Sequence, residues 1–166
     1  ERLQEERNNA DRAHVGQGSW ETLKSAGVAL WLRDKQELGK LVEEAARTTF
    51  RETRDPDQAA LLYAAIGKIA ILQGLYRTCN KSKQAEFFSR DFSQETNQTA
   101  ACKNAFVLLS QHRYSMAATF FILGGKVKDA IEICIQQLED IQLAIMLYKM
   151  LGETSVGIGE AIDEFL

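Results

Sequence analysis

The side chains best suited to chemistry in this sequence are two histidines, His14 and His112, and three cysteines, Cys79, Cys102 and Cys134. Nucleophilic catalysis would need one of the histidines to act as base beside a thiol or hydroxyl. His14 lies in a polar stretch. His112 ends an expected helix next to Arg113, where a cation complements the negative end of the helix dipole. It reads as a capping residue without a visible catalytic partner. The cysteines stand 23 and 32 residues apart. They have neither the close spacing of a zinc site nor the even pairing of a disulfide framework. They read as reduced, mostly buried thiols, with Cys102 packed on an alanine-rich helix. Gly124-Gly125-Lys126 resembles a phosphate loop only superficially. It follows a helix rather than a strand and lacks both the leading glycine and the hydroxyl residue after the lysine. Glu5-Glu6 and Glu43-Glu44 sit on polar faces with no histidine at a metal-ligand spacing. These residues offer no catalytic constellation, so the expectation is a protein that is not an enzyme and uses no metal or cofactor.

The elements that must carry these residues are helices. The chain has 166 residues, 45% hydrophobic and 26% charged, enough apolar content for a core. A single proline leaves room for long helices, and a formal net charge of −3 argues against a nucleic-acid binder held by bulk charge. No apolar run approaches the roughly 18 residues of a membrane span. Beginning at Glu1 without a signal-like segment, the chain reads as a piece of something longer.

The pattern divides into a polar arm or linker over 1–18, a helical segment over 19–152 and an acidic, glycine-containing tail over 153–166. Ser19 caps a helix whose face carries Trp20, Leu23, Gly27 and Leu30 or Trp31. The two tryptophans are expected in the core or between helices. Asp34 with Glu37 fits capping-box logic for a helix ending near Arg54. Asp55-Pro56 opens a helix expected to be central and to run to Gln73. A bend falls within Gly74 to Lys83, then a short helix with Phe87 and Phe88. Ser93 is the candidate cap of a helix closed by Gln111-His112-Arg113. Helices over Tyr114 to Leu123, Val127 to about Leu138 and Ile141 to Leu151 follow, with Gly124-Gly125 and Glu139-Asp140 as turns. That makes about eight helices joined by short turns.

Such a series forms either a bundle or stacked hairpins. Tyr114, Ala117, Ala118, Phe121, Gly125 and Ala130 follow tetratricopeptide spacing, in which small residues allow close helix approach and aromatics fill the gaps between pairs. The expected fold is therefore all-α: stacked helical hairpins in an α-solenoid. Charge is uneven along it. Residues 68–128 hold nine bases and three acids, whereas 129–166 hold eight acids and one base. Opposite binding surfaces would follow from such a division.

Several local strings carry a family resemblance. Thr99-Ala100-Ala101-Cys102 runs on to His112-Arg113-Tyr114, then to Phe120-Phe121-Ile122-Leu123-Gly124-Gly125 and Leu138-Glu139-Asp140-Ile141-Gln142-Leu143-Ala144. Upstream, Leu30-Trp31-Leu32-Arg33-Asp34 and Gly74-Leu75-Tyr76-Arg77-Thr78 fit in the same order. Together they resemble the helical region of the large subunit of the RAVE complex and its Dmx-like (rabconnectin) relatives, from about Trp20 to Leu151. Asn97 and Gln98 depart from the family pattern, as does Tyr76 in place of a tryptophan.

The resemblance implies a non-catalytic assembly factor in which β-propellers precede an α-solenoid. Such a factor promotes joining of the soluble sector of the vacuolar-type proton-pumping ATPase to its membrane sector. Implied partners are other RAVE or rabconnectin subunits and soluble-sector pump subunits. The implied location is cytoplasmic, with peripheral recruitment to vacuolar or endolysosomal membranes. The resemblance supplies no binding residues, so His112, Arg113, Lys126 and Lys128 are the candidate interaction surface on the charge pattern alone. A solenoid of a vesicle-coat or membrane-tethering complex is the alternative.

Overall fold

The computed structural model describes residues 18–152, and every regular element among them is a helix. Most of the expected arm, including His14, and the acidic tail lie outside the described residues. Ten helices follow in order: α1 (Trp20–Ser25), α2 (Val28–Trp31), α3 (Lys35–Thr53), α4 (Pro56–Ala65), α5 (Ile69–Thr78), α6 (Ser82–Phe88), α7 (Glu95–Ser110), α8 (Tyr114–Leu123), α9 (Val127–Gln136) and α10 (Ile141–Leu151).

Local capping starts several of them where the sequence places a short polar side chain. Ser19 Oγ accepts from the Thr22 N–H at 3.2 Å. Asp34 Oδ1 accepts from the Gln36 and Glu37 N–H groups at 2.9 and 3.0 Å. Asp55 accepts from the Asp57 N–H with Pro56 at the first helical position. The expected cap at Ser93 is not used: Gln94 precedes α7, and Asp91 instead accepts from the Ser93 N–H at 3.0 Å.

Two expected helices are broken. The one from Trp20 to Trp31 is interrupted at Gly27, which takes a left-handed φ of 64°. The one from Pro56 to Gln73 turns at Ile66-Gly67-Lys68, while Gly74, expected in a bend, lies inside α5. Apolar periodicity runs straight through Gly67, so only the backbone shows the break.

That turn belongs to a set of four. Gly67, Asn80, His112 and Gly125 all have φ between 57° and 73°. Each is followed by a base: Lys68, Lys81, Arg113 and Lys126. The N–H of each base returns to the carbonyl five residues back, at 2.8–2.9 Å, on Tyr63, Tyr76, Leu108 and Phe121. This is the Schellman arrangement, and it places a cation against the carbonyl end of the helix just completed. The turns come in two pairs spaced by 13 residues, so α4-α5-α6 and α7-α8-α9 share one plan, each with a ten-residue middle helix.

Consecutive helices pack from α3 to α6 and from α7 to α10, and α4 also packs on α8. The expectation of a central helix holds for α4, in which all residues but Asp57 and Gln58 are buried. The last helix returns to the first ones: α10 packs on α2, α3 and α4. Lys149 Nζ on α10 donates to the carbonyls of Ala29, Leu32 and Leu30, at 2.5, 3.1 and 3.4 Å, and so caps the open end of α2. An open repeat array touches only sequential neighbours. Here the two edges of the described residues also meet.

Candidate functional site

The two turns at the lower end of α5 and α7 converge with the start of α4 on a polar cluster. Asp57, in the first turn of α4, accepts from the buried Tyr76 hydroxyl of α5 at 2.7 Å and from Arg113 Nη2 at 3.1 Å. Lys81 Nζ donates to Asp55 Oδ1 at 3.0 Å and lies 3.8 Å from Asp57 Oδ2. Both carboxylates also face the positive end of the α4 dipole. Burial raises the Tyr76 phenol well above an ordinary tyrosine, and the Asp57 carboxylate adds to the rise. Burial would lower the Lys81 ammonium, but its bond to Asp55 and the nearby carboxylate charges outweigh that and raise it. These charge-assisted bonds tie the start of α4 to α5 with its turn and to the turn before α8.

Beside the cluster lies a cleft of about 320 Å³, lined by Asp55, Asp57, His112, Arg113, Tyr114 and Met116 among others. It shares Gln58, Ser115 and Leu138 with a larger cleft of about 590 Å³ floored by Leu61, Leu62 and Leu143. Trp20, Lys24 and Asp140 line the larger one. Asp140 Oδ2 accepts from Trp20 Nε1 at 2.9 Å and lies 3.2 Å from Lys24 Nζ, while its Oδ1 caps α10 through the Leu143 N–H at 3.0 Å.

The four residues expected to form one interaction surface divide into two pairs. His112 and Arg113 precede α8, whereas Lys126 and Lys128 follow it. A ten-residue helix separates them by about 15 Å. Arg113 is bound to Asp57 and is not a free cation. His112 is exposed and shares a 2.6 Å hydrogen bond from Nδ1 with the Tyr114 hydroxyl. It sits past the end of α7 in a left-handed conformation and makes no hydrogen bond or ion pair with an acid among the described residues. Lys126 and Lys128 are exposed and make no ion pair among the described residues.

The thiols are less buried than expected. Cys134 is enclosed, and burial pushes its thiol up to about 12, but Cys79 and Cys102 are half-buried. The tryptophans also differ. Trp20 is partly buried and bonded, whereas Trp31 is 63% exposed, its indole N–H turned back to the Ala26 carbonyl at 2.9 Å. Among the described residues no group of three or more His, Cys, Asp or Glu side chains could hold a metal ion, and no helix is long and apolar enough to cross a membrane.

Sequence reasoning missed Asp57 and Tyr76, which organise the lower cluster, and Asp140 as partner of Trp20. The signal available for the turns was the recurrence of a left-handed-tolerant residue followed by a base, Gly67-Lys68, Asn80-Lys81, His112-Arg113 and Gly125-Lys126.

Comparison with known proteins places this arrangement. The chain is 41% identical over 132 residues to "DmX-like protein 1" of Mus musculus, covering 80% of this chain and 4% of that protein. It is 36% identical over 151 residues to "Regulator of V-ATPase in vacuolar membrane protein 1" of Saccharomyces cerevisiae, covering 87% of this chain and 11% of that protein. The protein of the same name from Schizosaccharomyces pombe is 31% identical over 154 residues, covering 89% of this chain and 12% of that protein. The chain thus spans only a small part of the length of these relatives. A family model described as RAVE protein 1 C terminal matches residues 8–166, nearly the whole chain, so the chain belongs to that family.

Proposed function

We propose that this chain is a helical scaffold segment of a longer RAVE-like regulator of the vacuolar-type proton-pumping ATPase. In this reading it helps bring the soluble sector onto the membrane sector without bond chemistry of its own. The family match over residues 8–166, together with relatives named as regulators of that pump, is the observation that carries the reading. The shared plan of α4-α5-α6 and α7-α8-α9 supports stacked hairpins as the unit of this scaffold, with α10 folded back onto α2, α3 and α4. A rigid curved stack can hold two subunits in docking orientation, and ATP hydrolysis stays with the pump. The polar cluster around Asp57 serves rigidity: its groups are spent on each other rather than offered to a substrate.

Partners in this reading are other RAVE or rabconnectin subunits and soluble-sector pump subunits. The protein is cytoplasmic and recruited peripherally to vacuolar or endolysosomal membranes. Residues 1–18 act as a linker, 19–152 as the helical body and 153–166 as an acidic tail. Lys126 and Lys128 remain surface candidates, with His112 and Arg113 forming a second edge at the other end of α8.

The test is affinity capture with residues 1–166 from a lysate of the native cell, read by mass spectrometry. Enrichment of soluble-sector pump subunits, reduced by Lys126→Glu with Lys128→Glu, is the expected result. Enrichment of coat or tether subunits in their place would overturn it.

A further inference from the structure

The exposed large apolar side chains among the described residues fall mostly on three helices: Leu30 and Trp31 on α2, Phe106 and Val107 on α7, and Ile141 and Tyr148 on α10. At α10 the sequence that follows supplies a matching cover. Ile141, Ile145 and Tyr148 stand at i, i+4 and i+7, within an arc of about 60°. Ile141 is 39% and Tyr148 37% exposed, Ile145 is half-buried, and none of the three belongs to the core. Leu143, Ala144, Met146 and Leu147, on the opposite side of α10, make its buried contacts. Its flank toward α1 and α2 is held by Gln142, which donates to the Lys24 carbonyl at 3.0 Å, and by Lys149. The Tyr148 ring is pinned against Gly152, with Cδ2 2.7 Å from where a Cβ would stand.

The end of this stripe is basic. Gly152 and Tyr148 line a cleft of about 340 Å³ together with Arg33, Lys35, Leu38 and Lys149, three bases and no acid. Nearby, the Asp34 carboxylate accepts from the first N–H groups of α3, and Glu37 is paired with Lys40 at 3.1 Å. From Gly152 the chain runs directly into residues 153–166, which hold four acids, Glu153, Glu160, Asp163 and Glu164, and no base. Ile158, Ala161, Ile162 and Phe165 recur at i, i+3, i+4 and i+7, an arc of about 100° on a helix, and Glu160, Asp163 and Glu164 fall opposite them. The nine positions 158–166 correspond to about 13.5 Å of helix, against about 10.5 Å from Ile141 to Tyr148. Residues 153–157 can span about 17 Å, more than the roughly 8–10 Å between packed helix axes.

We propose that residues 158–166 form an amphipathic helix that folds back along α10 and lays Ile158, Ala161, Ile162 and Phe165 on Ile141, Ile145 and Tyr148. Glu153 leaves past the bases of the cleft, and Glu160, Asp163 and Glu164 face water. A helix this short is not stable alone, so its order depends on that seat. The contact continues the packing of consecutive helices from α7 to α10. It makes the outer face of α10 an internal contact rather than a partner surface. The inference concerns the chain itself and does not rest on which assembly it serves.

The experiment is amide hydrogen exchange on the intact chain of residues 1–166, followed by mass spectrometry at two protein concentrations. Amides of 158–166 should exchange about tenfold or more slower than in the free peptide of that sequence, equally at both concentrations. Ile162→Asp, Ile141→Ser and Tyr148→Ser should each abolish that protection while α4 stays protected. Ile162→Asp should also raise oxidation of Tyr148 in hydroxyl-radical footprinting about twofold or more. That variant changes no described residue, so it keeps the test open if a substitution on α10 unfolds the chain. Free-peptide exchange in the unsubstituted chain overturns the proposal. So does protection that survives the α10 substitutions, which would seat the segment elsewhere, or a Tyr148 reactivity indifferent to Ile162→Asp. Protection that appears only at the higher concentration, with dimer in sedimentation, would assign the stripe to a second copy and overturn it as well.

Discussion

The indole N–H of Trp20 donates to the Asp140 carboxylate at 2.9 Å, across 120 residues of sequence. One bond thereby joins the first described helix to the residue that caps the last. Trp20→Phe keeps an aromatic ring but removes the donor, and is expected to cost about 1.5–3 kcal/mol, the value of a hydrogen bond to a charged group. Asp140→Ala should cost about 2–4 kcal/mol, because it also removes the α10 cap and strands the indole N–H. Urea unfolding of both variants checks the order. Equal losses would mean that the cap adds nothing to the indole bond.

Tyr76 and Arg113 reach Asp57 from different helices. Tyr76→Phe leaves one carboxylate oxygen without its buried donor and is expected to cost about 1.5–3 kcal/mol. Arg113→Gln, at a half-exposed pair, should cost about 1 kcal/mol or less. Chemical denaturation distinguishes the two. A larger loss at Arg113 would show that the ion pair, not the phenol bond, anchors α4.

Acid should weaken the same region in a defined direction. Burial acts to raise the Asp55 carboxyl, but its bonds from Lys81 and from the Asp57 N–H outweigh that and hold it below the 3.8 of a free aspartate. A carboxyl lowered on folding adds stability that is fully present above 3.8 and is lost as pH falls through the lower folded value. Lys81→Met should therefore flatten the acid side of a melting-temperature profile. An unchanged acid slope would remove Asp55 and Lys81 as its source.

Gly124 has no room for a side chain. An added Cβ would overlap Cys102 Sγ and would lie 3.1 Å from the Gln98 carbonyl oxygen. Gly124→Ala is expected to destabilise by about 1–3 kcal/mol through overpacking between α7 and the α8–α9 turn. Cys102→Ala in the same chain should restore part of that loss, because it removes the overlapping sulfur and leaves the carbonyl contact. A double-mutant cycle measures this. Strict additivity would place the strain elsewhere.

The lesson for reading the sequence divides along the range of the interactions. Caps such as Asp34 and Asp55-Pro56, and the stop at Gly124-Gly125, were legible because each is closed by hydrogen bonds within a few residues. The family resemblance was legible for a related reason: its motif strings lie mostly in those turns and the helices beside them. The break at Gly67 was not, because apolar periodicity is indifferent to one left-handed residue.

Side-chain composition and local spacing determined that the described residues are helical and the order of most helices, and the motif strings carried the kinship. Only the tertiary structure decided which charges are free. Arg113 and Lys126 occupy equivalent positions in the same kind of turn, yet Arg113 meets Asp57 and Lys126 meets no acid as an ion-pair partner among the described residues. It also decided that Trp20 meets Asp140 and that Phe106 stays outside. Local rules fix where a helix starts and which way its face points. What that face meets depends on how distant helices pack, and no short-range pattern encodes it.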